Sequence, residues 1–269
     1  MGNFVEVRVP KGKSVSRDIE VLPGSEMSIS LAEGSEATIL LDFLKEGKSS
    51  ARAFLGKNSK LSLCEIKGAK GTGIDFSSEI ILKEGAVFKG VNSVVSGNNS
   101  VENRKISLEG KGALATQNEI FWERGKETLK SNILIVHKTP DTEAFASSKG
   151  LLSDGGEAYS YGLVKIEKRA QKTNSFLSQH AILLDSISKN DSLPSLEIEA
   201  NDVKASHSAS SGPIDPDAIF YLESRGIPKG TATREIALGF LLPELNILGE
   251  RERGIVTERL LAKWGREEK

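Results

Sequence analysis

The chain has 269 residues, with 36 basic and 37 acidic side chains and a formal net charge of −1 at pH 7. That balance excludes a strongly basic surface for nucleic acid or anionic membrane as the main basis of function, while the length allows a sizeable core. A single cysteine, Cys64, rules out a disulfide framework within the chain and suits a reducing compartment.

The opening residues, MGNFVEVRVPKGKS, lack the apolar region of a signal peptide, and Glu6 stands where a myristoylation signal carries Ser or Thr. No apolar run is long enough to cross a bilayer, so a cytoplasmic protein with no membrane or nucleic-acid partner is expected. From Phe4 to about His207 the pattern is strand, turn, strand, with almost no helical period: FVEVRV, SEMSISL, SEATILLDFL, SKLSLCEI, IDFSSEIIL, AVFKGVNSVV and RKISLEG follow one another. The breaks between them are small polar corners, among them Pro23-Gly24, Glu33-Gly34-Ser35, Gly56-Lys57-Asn58, Glu84-Gly85, Gly97-Asn98-Asn99 and Gly110-Lys111-Gly112.

These corners carry a loose repeat. LAEGSEATILL, LGKNSKLSL, LKEGAVFKGV and LEGKGALATQ begin roughly two dozen residues apart, each an apolar residue, a glycine-bearing corner and an alternating run. Short strands at this spacing without crossover helices suggest a β-solenoid of stacked coils. A β-sandwich or open barrel would give similar strands and turns.

The segment LEIEANDVKASHSASSGPIDPDAIFYLESRGIP, Leu196 to Pro228, joins strands to helices. Leu196, Ile198 and Ala200 alternate with Glu197, Glu199 and Asn201. Asp215 is a good N-cap, Pro216 fits the first turn, and Gly226 can close the helix in the left-handed conformation before Pro228. A second helix is expected from about Thr231 to Leu242, with Ile236, Phe240 and Leu241 on its apolar stripe, and a last one from about Gly249 to Trp264.

Few residues offer chemistry. Of the three histidines, His207 falls just after a predicted strand and before the helical switch, where a histidine commonly hydrogen-bonds neighbouring backbone. His137 reads as a strand-end residue without a partner, His180 as a surface residue, and Cys64 as a strand cysteine of ambiguous direction. There is no G-x-x-x-x-G-K-[ST], C-x-x-C, H-E-x-x-H or G-x-S-x-G, and Gly71-Thr72-Gly73 lacks the rest of a dinucleotide fingerprint, so no nucleotide is expected to bind this chain itself. Glu197 and Glu199 share a strand face, as carboxylates on solvated faces commonly do.

The order of residues in ANDVKASHSAS, then a glycine, then IDPDAIFYLESRGIP, resembles the C-terminal signature of the SufB/SufD family of the SUF iron–sulfur cluster assembly machinery. The resemblance extends upstream through SSKGLLSDGGEAYSYGLVKIEKRAQKTNSFLSQHAILLDSISKNDSLPSLEIEAND and so covers roughly the second half of the chain. It implies a right-handed parallel β-helix (β-solenoid) core over residues 1–212 and a small helical region over 213–269 that docks a SufC-type ABC ATPase. Phe220, Ile236, Phe240 and Leu241 are then candidates for that contact. It also implies pairing with a SufB-type homologue or a second copy, and a non-enzymatic scaffold role in which His207 helps hold a transient iron–sulfur cluster. His180 and Cys64 are weaker candidates for the same role.

Two departures make the chain SufD-like. SufB-type members carry a sulfur-accepting cysteine a few residues before an LLL-like triplet; here the triplet is Ile182-Leu183-Leu184, preceded by Ser178, Gln179 and His180. The acidic residue that follows the motif histidine in SufB-type members is Ser208 here. The long N-terminal helical extension of many relatives is also missing from the sequence. Two other classes compete with this reading: a carbohydrate-active β-helix enzyme, disfavoured by an aromatic content of only 6%, and a purely structural oligomerisation module.

Overall fold

A computed structural model describes residues 3–68, 73–95 and 99–264. The corner expected at Gly97-Asn98 and most of Gly71-Thr72-Gly73 lie outside them. The described residues form sixteen strands: β1 (Phe4–Val9), β2 (Ser14–Glu20), β3 (Glu26–Leu31), β4 (Glu36–Phe43), β5 (Gly47–Leu55), β6 (Lys60–Lys67), β7 (Ile74–Leu82) and β8 (Val87–Val94), then β9 (Asn99–Leu108), β10 (Leu114–Arg124), β11 (Thr128–His137), β12 (Glu143–Ser153), β13 (Glu157–Ile166), β14 (Thr173–Leu183), β15 (Lys189–Ile198) and β16 (Val203–Gly212). Odd-numbered strands make one eight-stranded sheet and even-numbered strands the other, with every pairing parallel. The fold is therefore the expected β-solenoid and neither a sandwich nor a barrel. Its coils lengthen along the chain: Phe4 aligns with Glu26 near one end, and Glu157 with Lys189 near the other.

The glycine repeat turns the corners. Gly85 has φ +63°, a conformation costly for any side chain with a Cβ. Nearby hydroxyls tie the same turns: Ser35 Oγ donates to the Ala32 carbonyl at 2.7 Å, Ser59 to Gly56 at 2.8 Å, and Thr173 to Ala170 at 2.9 Å. These buried bonds satisfy groups that would otherwise cost free energy inside the corner.

Alternation sends every second side chain inward, and parallel register stacks the inward positions into columns. One column of the even sheet, Ala37, Leu61, Phe88, Ala115 and Ala144, is apolar and buried. Another changes character along its length, running from Leu41 to Glu65, Asn92, Glu119, Ser148 and Gln179. Lys67, with no exposed surface, donates to Glu65 at 2.9 Å, Asn92 at 2.6 Å and Glu102 at 2.6 Å, and lies 4.6 Å from the Phe76 ring centroid. Arg104 also pairs with Glu65. Burial raises the Glu102 carboxyl to about 7, against the opposing pull of Lys67.

After β16 the described residues form three helices: α1 (Pro216–Glu223), α2 (Lys229–Leu241) and α3 (Glu250–Trp264), with a 3-10 segment at Leu242–Ile247. Asp215 caps α1 by accepting from the Asp217 amide at 2.9 Å, and Gly226 takes φ +83° after it. The region beyond α1 packs on the outer face of the even sheet, where Leu241, Leu245, Val256, Leu260 and Trp264 cover Leu40, Cys64, Ile66, Ile120, Trp122 and Leu151. Trp122 and Trp264 pack with ring centroids 4.9 Å apart and planes tilted by 41°. Arg251 pairs with Asp18 and Arg259 with Asp42, so α3 reaches back to β2 and β4.

Two further buried titratable groups contribute to the pH response with opposite sign. Glu123 has no hydrogen-bond partner on either carboxylate oxygen, and burial pushes its carboxyl well above the usual range. The native state keeps this proton while the unfolded chain loses it near 4.5, so this contribution to stability is lost as pH rises from about 4.5 through the native value. Glu123→Gln should therefore stabilise the protein at pH 7 by about 1–3 kcal/mol and gain nothing at acid pH. Denaturant unfolding across pH reads both. His137 behaves oppositely: burial lowers it from 6.5 to about 4, so the unfolded chain takes up a proton first and stability falls as pH drops from about 6.5 to about 4. His137→Gln should flatten that acid limb of the stability profile.

Candidate functional site

The last coil, β15 and β16, ends the stack. Each of these strands is paired on one side only, β15 with β13 and β16 with β14, which leaves two free backbone edges. His207 lies within β16 rather than after a strand. Its serine-rich surroundings carry little apolar alternation, but the ladder with β14 continues from Thr173↔Val203 to Ile182↔Gly212 and holds the segment extended.

Register decides where the histidines point. His207 aligns with Leu177, a lumen residue, so it lies in an inward column on a rung that nothing covers, and it is exposed. Val203 and Ala205 share that inward face and pack on the core below. His180 has the opposite parity on β14 and lies on the outer face of the sheet. Both of its ring nitrogens are engaged, Nδ1 with Ser210 Oγ at 2.7 Å and Nε2 with Ser208 Oγ at 3.2 Å. The two histidines therefore do not converge on one site within this chain.

Cys64 joins neither. It faces outward from β6 beneath the helices, is 1% exposed, and burial pushes its thiol up to about 12. β6 and β16 are five strand spacings apart in the even sheet, about 24 Å at the usual interstrand distance. A thiol held protonated and covered at that distance is an inert packing group. His137, expected to lack a partner, is fully buried with Nδ1 2.8 Å from Thr142 Oγ1, because the coil corner folds Thr142 back over it.

The helical candidates separate in the same way. Phe220 is 70% exposed on α1, a helix with no buried residue, and Tyr221 beside it is also exposed. Phe240 is half-buried with Lys149 Nζ 5.0 Å from its ring centroid, and Ile236 is half-buried on the same helix. Leu241 is fully buried in the seam between α2 and the sheet, where it holds the helix down.

Among the described residues, no cluster of three or more His, Cys, Asp or Glu could hold a metal ion. His207 supplies one imidazole and no companion ligand, so an iron centre at this rung would need donors from another chain. A groove of about 950 Å³ crosses the outer face of the odd sheet. Its Glu79 is held by Arg52 at 2.6 Å and Lys105 at 3.1 Å, and these hydrogen bonds keep its carboxyl below the usual range. A glycosidic acid needs the reverse shift.

Sequence comparisons find a family model and several relatives. A family model described as SUF system FeS cluster assembly, SufBD core domain, matches residues 20–240. The iron–sulfur cluster assembly protein SufD of Bacillus subtilis is 32% identical over 149 residues, which cover 55% of this chain and 34% of that protein. SufD of Escherichia coli is 27% identical over 246 residues, covering 88% of this chain and 57% of its own length. An iron–sulfur cluster assembly SufBD family protein of Staphylococcus saprophyticus is 29% identical over 136 residues, covering 51% of this chain and 29% of its own. The chain thus spans from under a third to just over half the length of these relatives.

The burial of Cys64 yields a direct check. An aromatic disulfide reagent should leave the native protein unlabelled and titrate one thiol on unfolding; rapid labelling of native protein would show that the helices do not seal the seam.

Proposed function

The chain belongs to the SufB/SufD core-domain family, and from that premise we propose that it is a SufD-like scaffold subunit of iron–sulfur cluster assembly. The observation that carries the reading is the open last rung, where two free strand edges and an exposed, inward-column His207 occupy the same end of the solenoid.

In this proposal the β15 and β16 edges pair with a SufB-type homologue or with a second copy. Unpaired backbone groups favour continuing the ladder into another chain. His207 then contributes a neutral imidazole to a nascent cluster that is cargo, and the partner supplies the remaining ligands. The chain works in the cytosol as a non-enzymatic component and binds no nucleotide.

A SufC-type ABC ATPase is the proposed partner of the helices. Phe220 and Tyr221 supply exposed aromatic surface on α1, next to a groove of about 370 Å³ between that helix, Leu183 and Leu184 at the end of β14, and Thr233 of α2. Buried aromatic anchors dominate the energetics of such contacts. Association of two nucleotide-bound ATPases would shear the paired solenoids and open the rung that holds His207.

Two measurements test the proposal. His207→Ala should fold normally, since the side chain is exposed, and should lower cluster assembly in a reconstituted SUF reaction at least tenfold; unchanged assembly removes the histidine from the site. Co-purification with a SufC-type ATPase should survive His207→Ala and weaken by about 2 kcal/mol or more with Phe220→Ala. Failure of the unmodified protein to bind any such ATPase would defeat the partner assignment.

A further inference from the structure

The middle coils bury a cluster of charged side chains: Glu65 and Lys67 on β6, Glu102 and Arg104 on β9, and Glu119 on β10. Hydrogen bonding fixes the charge of the cations. Lys67 Nζ donates to Glu65 at 2.9 Å, to Asn92 at 2.6 Å and to Glu102 at 2.6 Å, which uses all three hydrogens of an ammonium group. A neutral amine has one hydrogen too few for these bonds. Arg104 carries its charge at every relevant pH. Three carboxyls therefore share two positive charges, and an uncompensated ion in the interior is costly.

One proton removes the surplus, and the geometry locates it. Both oxygens of Glu119 are occupied, by Asn92 at 2.9 Å and by Ser131 and Ser148 at 2.8 Å. Three donors of this kind favour the carboxylate. Glu65 meets both cations. Burial pushes its carboxyl up, but Arg104 and Lys67 more than offset that and hold it below the usual range. Glu102 meets Lys67 alone, through Oε2, and its Oε1 has no partner. The flanking strands add no charge to it, since Phe76 of β7 and Ser131 of β11 are the residues in register with it. Burial raises this carboxyl to about 7, helped by Glu65 and Glu119 and opposed by Lys67.

We propose that Glu102 holds the proton that neutralises this cluster, and that its release is a pH switch that loosens the middle coils. Protonated, the cluster is neutral. Ionised, it leaves one negative charge inside the solenoid without a counter-ion. The opened chain gives up this proton near 4.5 and the native chain near 7. The stabilisation is therefore complete below about 4.5, is lost progressively as pH rises to about 7, and changes no further beyond that. The proton is independent of the assembly role, and testing it needs no cluster, ATPase or partner.

Amide hydrogen exchange of the full chain, read on peptides from β6 and β9 and corrected for the intrinsic effect of pH, follows the opening of these coils. The comparison is between the unmodified protein and Glu102→Gln, which is neutral at every pH. The opening constant of the unmodified protein, divided by that of the variant, should rise about tenfold per pH unit from about pH 5 to about pH 7 and then level off. A ratio that stays flat from about pH 5 to about pH 9 would show that Glu102 is ionised throughout and overturn the proposal. A ratio still rising at about pH 9 would overturn the switch, because the proton would then be held through neutrality. Should Glu102→Gln fail to fold, infrared spectra of Glu123→Gln decide, since that variant lacks the other raised carboxyl. Loss of a protonated-carboxyl band between about pH 6 and about pH 8 supports the assignment, and an unchanged spectrum there refutes it.

Discussion

In-register parallel stacking is the constraint on which this molecule depends. Each coil hydrogen-bonds to the next through backbone groups, so every inward position lies directly above its counterpart one turn earlier. A residue is therefore acceptable only if its column accepts it. The apolar column through Leu61, Phe88 and Ala115 meets that requirement by hydrophobic burial. The column through Glu65, Asn92 and Glu119 meets it by mutual hydrogen bonding across the lumen. The same rule leaves the ends unsatisfied, since the last coil has a ladder below it and none above.

The polar column costs desolvation free energy and returns much of it only because its members are nearly all partnered. Lys67 illustrates the balance, with three oxygen acceptors within 2.9 Å and two aromatic rings beside it. Buried ions of this kind add little net stability over apolar packing, but a coil that slipped by one residue would break every pair at once. The network thus defines the register of the middle coils in a way that uniform aliphatic columns cannot.

The helices perform a different task from the coils. They close the outer face of the even sheet from β12 back to β2, and they seal Cys64 and Trp122 from solvent. One helix, α1, stays clear of that face and keeps its aromatic side chains outside. The helical region is thus anchored on the sheet through α2 and α3 and displays apolar surface on α1. The open rung and the helical region thus meet at β14 and the segment that follows β16.

Much of this was legible in the residues themselves. Glycine-bearing corners at a steady interval, with alternating runs between them, define a stack of short strands because positive φ and twofold side-chain alternation are local properties. Asp215, Pro216 and Gly226 mark the first helix for the same local reason. What no local property carries is which way a side chain faces once an alternating run is mixed in character. Cys64 stands between Leu63 and Glu65, which both point inward, and only the covering helices show that its own face is buried too. The residues around His207 and His180 do not say which face each takes, and it is the ladder between β14 and β16 that sends one toward the open lumen and the other to the outer face. Nothing local marks Glu65, Lys67, Glu102 and Arg104 as interior residues, and tertiary stacking brings them together there, because the pairs Lys67–Glu102 and Arg104–Glu65 join residues a full coil or more apart in the chain.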